Sequence, residues 1–95
     1  MKEQFKRWLI QNGYKEYTGS GNRSTVYDYI KRIDFVCDNE MIDWMELGEK
    51  IEFITAMYDI GGVKSYLGEI SHRSVINALK RYGEFIEYRR KTIDF

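Results

Sequence analysis

Hydrophobic residues recur along this chain at three- and four-residue spacings, and nowhere do they alternate with polar ones for more than four residues. That period predicts helices and no strands. Phe5, Trp8, Leu9 and Asn12 fall at i, i+3, i+4 and i+7, an amphipathic helix over 3–11 that Asn12-Gly13 ends by tolerating left-handed backbone. A second helix is expected to start at Thr25, whose hydroxyl has capping-box spacing to the Asp28 carboxylate. Its buried stripe is Val26, Ile30, Ile33 and Cys37, flanked by Tyr29 and Val36, while Asp28, Lys31 and Arg32 lie outside. Phe35 falls nearly opposite that stripe and needs cover from another element or a partner.

Asp43 and Glu46 repeat the cap spacing ahead of a short helix that Gly48 weakens or ends. Residues 49–58 then carry a wide apolar stripe of Ile51, Phe53, Ile54, Met57 and Tyr58, stopped by Asp59-Ile60-Gly61-Gly62. One helical turn fits around 63–67. The last helix takes Ser71 as N-cap and sets Val75, Ala78, Leu79, Tyr82, Phe85 and Ile86 on one face up to about Tyr88. Beyond that point Arg89 would rotate into the apolar stripe. The expected fold class is all-α, a compact bundle of four or five short helices forming a single domain over 1–95.

Composition narrows the chemistry. The 95 residues include no proline, which leaves helix interiors unbroken and makes Gly and Asn the punctuation. No apolar run approaches the ~20 residues that span a bilayer, and the N-terminus lacks the apolar stretch of a signal peptide, so the expected setting is cytoplasmic with no membrane partner. A single Cys37 on the apolar stripe reads as a buried structural thiol, and with His72 alone beside it no structural zinc site can be built. His72 is expected in the first turn of the last helix as a capping or hydrogen-bonding residue. The glycine-rich stretch 18–24 lacks the spacing of a phosphate loop and follows no strand, so it reads as a flexible connection. No nucleophile, base or metal set converges; no catalytic residue, metal or small-molecule cofactor is assigned.

Lys and Arg number fifteen and Asp and Glu fifteen, but this neutrality is an average. Residues 1–33 carry seven basic and three acidic side chains, 34–59 one and eight, and 60–95 seven and four, giving +4, −7 and +3. On the last helix Arg73, Asn77, Lys80 and Arg81 project beside or opposite the apolar face, a set able to meet phosphates and a base edge. Lys31 and Arg32 on the second helix add two more cations. The plainer reading is a solvated face in which Lys80 pairs with Glu84 at i+4.

Four segments, taken in order, resemble the N-terminal core-binding, SAM-like domain of phage integrases and other tyrosine recombinases. Phe5-x-x-Trp8-Leu9 is similar to its opening helix, and Thr25-x-x-x-Tyr29-x-x-x-Ile33-x-x-Val36 to its T-x-x-x-Y-x-x-x-L-x-x-F helix. Ile42-Asp43-Trp44-x-x-Leu47 resembles the short third segment, and Ser71-x-x-x-Val75-Ile76-x-x-Leu79-x-x-Tyr82-x-x-Phe85-Ile86 the closing helix. The resemblance implies a helical bundle that clamps one side of double-stranded DNA with mainly phosphate contacts, through Lys31, Arg32, Arg73, Asn77, Lys80 and Arg81. The catalytic arginines, the His-x-x-Arg and the nucleophilic tyrosine of those recombinases have no counterpart, so none of the eight tyrosines takes that role. The acidic middle segment is then expected to face away from the phosphates. The alternative is a protein-interaction module, homotypic or with a recombinase-like partner, in which the acidic segment meets a basic one on another molecule.

Overall fold

The computed structural model describes residues 1–93, apart from the Ile93 side chain; Asp94, counted in the charge of the last segment, lies outside them. Six helices follow in order: α1 Lys2–Gln11, α2 Thr25–Glu40, α3 Trp44–Glu49, α4 Ile51–Tyr58, α5 Ser65–Gly68 and α6 Ile70–Ile93. The all-α expectation holds, with one helix more than the four or five foreseen. The count reaches six because the turn expected around 63–67 forms a helix of its own, α5, and the expected break between the short third helix and the fourth falls at Lys50, whose φ is −108° and ψ 17°.

α6 is the axis of the bundle, and α2, α4, α5, α1 and α3 all pack against it. Its face of Val75, Ile76, Ala78, Leu79, Tyr82, Phe85 and Ile86 is buried, as its spacing predicts. Phe5 and Leu9 of α1 and Val26, Ile33, Val36 and Cys37 of α2 complete the same core with Leu47, Ile51, Ile54 and Tyr58. The centre is aromatic. Tyr82 meets the rings of Phe5 and Trp44 edge-on, each with centroids 5.3 Å apart, and its hydroxyl donates to the Trp44 carbonyl at 2.6 Å. Glycine is demanded where α4 and α5 close on each other: a methyl at Gly68 would lie 2.0 Å from the Tyr58 carbonyl oxygen.

Several local expectations are corrected. α2 begins at Thr25, but Ser24 is the N-cap and its side chain makes no cap bond, and the Asp28 carboxylate expected to close a capping box with Thr25 turns to Ser74 of α6. Asp43 does cap α3, accepting the Glu46 amide at 2.8 Å. Phe53 is 68% exposed: two residues beyond Ile51 it sits ~200° around the helix, opposite Ile51, Ile54 and Tyr58. Phe35 is covered and packs against the core.

The α6 expectation fails at both ends. Ser71 is no N-cap: Ser71, His72 and Arg73 all have left-handed backbone, with φ of 54°, 56° and 68°. Three successive non-glycine residues in that region cost ~1 kcal/mol or more each, held in place by the helices on either side. His72 is therefore an exposed residue of this turn and not of a regular first helical turn. At the other end α6 continues past Tyr88, because Arg89 accommodates the apolar stripe by laying its guanidinium over the Phe85 ring, 5.9 Å from its centroid, and contacting the Met1 sulfur.

Burial pushes the Cys37 thiol up to about 12 from an ordinary 9.0, with the Asp34, Asp38 and Asp43 carboxylates adding to the shift. Burial also raises Tyr58 and Tyr82 above 10.0. Native protein then holds these protons while unfolded chains release them, so stability is full below about pH 9 and falls as pH rises toward 12. The urea midpoint is expected to be lower at pH 10.5 than at pH 7, and Cys37 is expected to resist a thiol reagent at pH 8 until the chain is unfolded. Fast labelling of native protein, or a midpoint that does not fall with pH, contradicts this.

Candidate nucleic-acid interface

α2 and α6 cross near their N-terminal ends, and two side-chain links fix the crossing. Ser74 donates to the Asp28 carboxylate at 2.5 Å, and Arg32 donates to the Ser71 hydroxyl at 3.0 Å while pairing with Asp28 at 3.4 Å. The left-handed turn makes this possible: it delivers Ser71 to α2 and turns Arg73 toward the end of α4, where its guanidinium lies 3.7 Å from Asp59. Lys80 reaches the other oxygen of the same carboxylate at 3.4 Å. The Ile60 amide holds the Asp59 carboxyl below its ordinary range, and Lys80 and Arg73 lower it further against the opposing effect of burial.

Asn77, Lys80 and Arg81 fall within ~100° of one another on α6, on the side away from the core. Arg81 pairs with Glu84 at 2.7 Å and donates to the Tyr14 hydroxyl at 3.4 Å, and Tyr14 in turn packs edge-on against Tyr29. Asn77 is exposed in the middle of this set, and Lys31 is exposed on the outer face of α2. Arg32 thus lies at the α2/α6 crossing and Arg81 beside it through Tyr14 and Tyr29, whereas Arg73 and Lys80 turn to Asp59 at the end of α4 and Lys31 lies around the outside of α2.

Pairing differs from expectation in ways that bear on charge. Glu84 takes Arg81 and not Lys80, and Glu87 takes Lys91. Asp59, from the acidic middle segment, lies against two of the candidate cations, so that segment is not wholly turned away from them. Arg32, Arg73, Lys80 and Arg81 therefore meet four carboxylates, Asp28, Asp59, Glu69 and Glu84. These side chains are between 19% and 40% exposed, and pairs of that kind contribute ~0–1 kcal/mol, little enough for a phosphate to replace the carboxylate.

Cations without a carboxylate within 4 Å gather elsewhere. Among the described residues Arg7, Lys15, Arg23 and Lys31 sit on the α1, 15–23 and α2 side of the molecule, joined only by Arg89 and Arg90 near the end of α6. Sequence reasoning passed over Lys15 and Arg23 because one precedes and the other lies within the stretch 18–24 read as a connector. The signal that could have found them was the pair Tyr17 and Tyr27, one on each side of the glycines. Their hydroxyls meet at 3.4 Å, and Tyr27 also donates to Glu16 at 2.8 Å.

No group of three or more His, Cys, Asp and Glu side chains among the described residues could hold a metal, and no helix there is long and apolar enough to cross a membrane. No protein-family model, curated protein or solved structure matches the chain. The likeness to integrase core-binding domains rests on its four sequence segments alone.

Proposed function

We propose that this chain is a non-catalytic, SAM-like module that binds duplex DNA mainly through phosphates. The supporting observation is the placement of Arg32 at the α2/α6 crossing, where it reaches Ser71, with Arg73, 41 positions from it in sequence, and Asn77, Lys80 and Arg81 following along α6 on the side away from the core. The ion pairs there act as rests that hold guanidinium and ammonium groups outward, ready to exchange carboxylate for phosphate. Asn77, uncharged and exposed among them, is placed to meet a base edge.

Anisotropy titration of a labelled duplex of about 20 base pairs is expected to show binding at 50 mM salt, with log Kd rising linearly in log salt by ~0.9 per phosphate engaged. Absence of binding at that salt sinks the proposal, as does an equal loss on Lys50→Gln, which alters only a local pair with Glu46.

A second reading has an observation of its own. Phe53, Ile60, Val63 and Tyr66 expose apolar surface on α4 and the segment leading through α5, which suits a protein partner or a second copy of the chain. Sedimentation over a concentration series separates the readings, since a strict monomer at all salts removes the homotypic form.

A further inference from the structure

Two of the six described cations without a carboxylate within 4 Å, Arg23 and Lys31, line a groove on the outer side of α2. The groove has a volume of about 490 Å³ and runs between the segment ahead of α2 and the α2 helix itself. Arg23 and Ser24 form one wall and Lys31 the other, with Tyr27 and Ile30 between them. Among the described residues neither Arg23 nor Lys31 has a carboxylate within ion-pairing distance.

The two carboxylates that reach the groove are already engaged. Asp28 accepts from Ser74 and pairs with Arg32, while Asp34 accepts from the Trp44 indole at 2.8 Å and pairs with Lys2 at 3.1 Å. The groove thus offers two free cations whose neighbouring anions are satisfied from other directions. An anion entering it displaces no internal partner, unlike one arriving at Arg73 or Lys80.

The wall carrying Arg23 is built, contrary to its reading as a loose connector. Tyr17 and Arg23 form an antiparallel bridge; the Thr18 amide donates to the Asn22 carbonyl at 2.8 Å, and the Gly21 amide to the Thr18 carbonyl at 3.0 Å. Arg23 lies over the Tyr27 ring at 4.9 Å with Lys6 over the same ring at 5.2 Å. Tyr27 is held in turn by Glu16 and Tyr17. The guanidinium is therefore positioned before any ligand arrives, and little side-chain entropy remains to be lost on contact.

Asp28 ties this groove to the α6 face, since it lines the one and bonds Ser74 of the other. We infer that the groove is a second phosphate-binding site in which Arg23 and Lys31 grip the DNA backbone alongside the α2/α6 contact, with the 17–23 hairpin acting as a wing. This rests on the duplex-DNA reading above. The backbone is favoured over a protein ligand because the lining sets two unpaired cations and two hydroxyls beside carboxylates already neutralised by Arg32 and Lys2, with no exposed large apolar side chain to fill a partner's pocket.

The experiment is a salt series of anisotropy titrations on wild type, Arg23→Gln/Lys31→Gln and Arg73→Gln/Lys80→Gln, with thermal melts to confirm that each variant is folded. Both groove positions are exposed, so the first variant is expected to melt with wild type. It is expected to lower the slope of log Kd against log salt by about 2 and to weaken binding at 100 mM salt roughly tenfold or more. A wild-type slope and affinity in that variant, with binding lost in the α6 variant, overturns the groove and leaves the DNA reading standing. No duplex binding by wild type overturns both. An equal affinity for a single strand of the same length, lost on the same groove substitutions, also overturns the assignment to a duplex backbone.

Discussion

Tyr82→Ala is expected to lower the unfolding free energy by ~3–5 kcal/mol, enough to shift the folding equilibrium by about two to nearly four orders of magnitude. The cost has three sources. The ring is fully buried, and its loss leaves a void that Phe5, Trp44 and Phe85 cannot all fill while they remain attached to three separate helices. Its edge contacts with Phe5 and Trp44 vanish. The Trp44 carbonyl loses the 2.6 Å hydrogen bond that it receives from the phenol. Tyr82→Phe isolates the last of these and is expected to cost ~1–2 kcal/mol. Urea denaturation read by tryptophan emission checks both, because Trp44 and Trp8 belong to the same aromatic cluster. A loss below 1 kcal/mol for alanine would show that this cluster is not the centre of the fold.

Asp59→Asn is expected to tighten duplex binding, by about five- to tenfold at 50 mM salt. The substitution keeps an oxygen able to accept the Ile60 amide at 2.8 Å but removes the anion shared by Arg73 and Lys80. Lys80 then has no carboxylate within 4 Å and Arg73 keeps only Glu69 at 4.0 Å, and one repulsive contact with an approaching phosphate disappears. Each charge contact of ~4 Å is worth ~1 kcal/mol in high dielectric. Since both effects are screened, wild type and variant are expected to converge as salt approaches 0.5 M. Folding stability should fall by no more than ~1 kcal/mol, because the lost pairs are partly exposed. Unchanged or weaker binding would remove Arg73 and Lys80 from the DNA face.

The parts of this fold that could be read in advance are those set by local period. The apolar faces of α1, α2 and α6 follow from three- and four-residue spacing, and the Asp43 cap from its position ahead of Glu46. What could not be read depends on partners distant in sequence. Asp28 has capping-box spacing to Thr25, yet Ser74, 46 positions away, takes its carboxylate. Lys80 has helical spacing to Glu84, yet Asp59 reaches it from the end of α4. The left-handed run at 71–73 had no signal at all, since Ser, His and Arg carry none of the glycine or asparagine that announces such backbone. Of the candidate interface, residue types and helices were legible, but their neutralisation was not. The freest cations were overlooked because the hairpin that carries Arg23 is closed by tyrosines on both sides of the glycines, outside any helical pattern.

The packing of α1 against α6 has a consequence for how the chain is made. Met1 touches Arg89, 88 positions later, and Phe5 finds its main aromatic neighbours in Tyr82 and Phe85. On a ribosome moving at about 5–20 residues per second, α1 emerges roughly 4–18 s before the surface that buries it. For that interval Phe5, Trp8 and Leu9 have no native partner on α6, and the bundle can close only once its final helix is released.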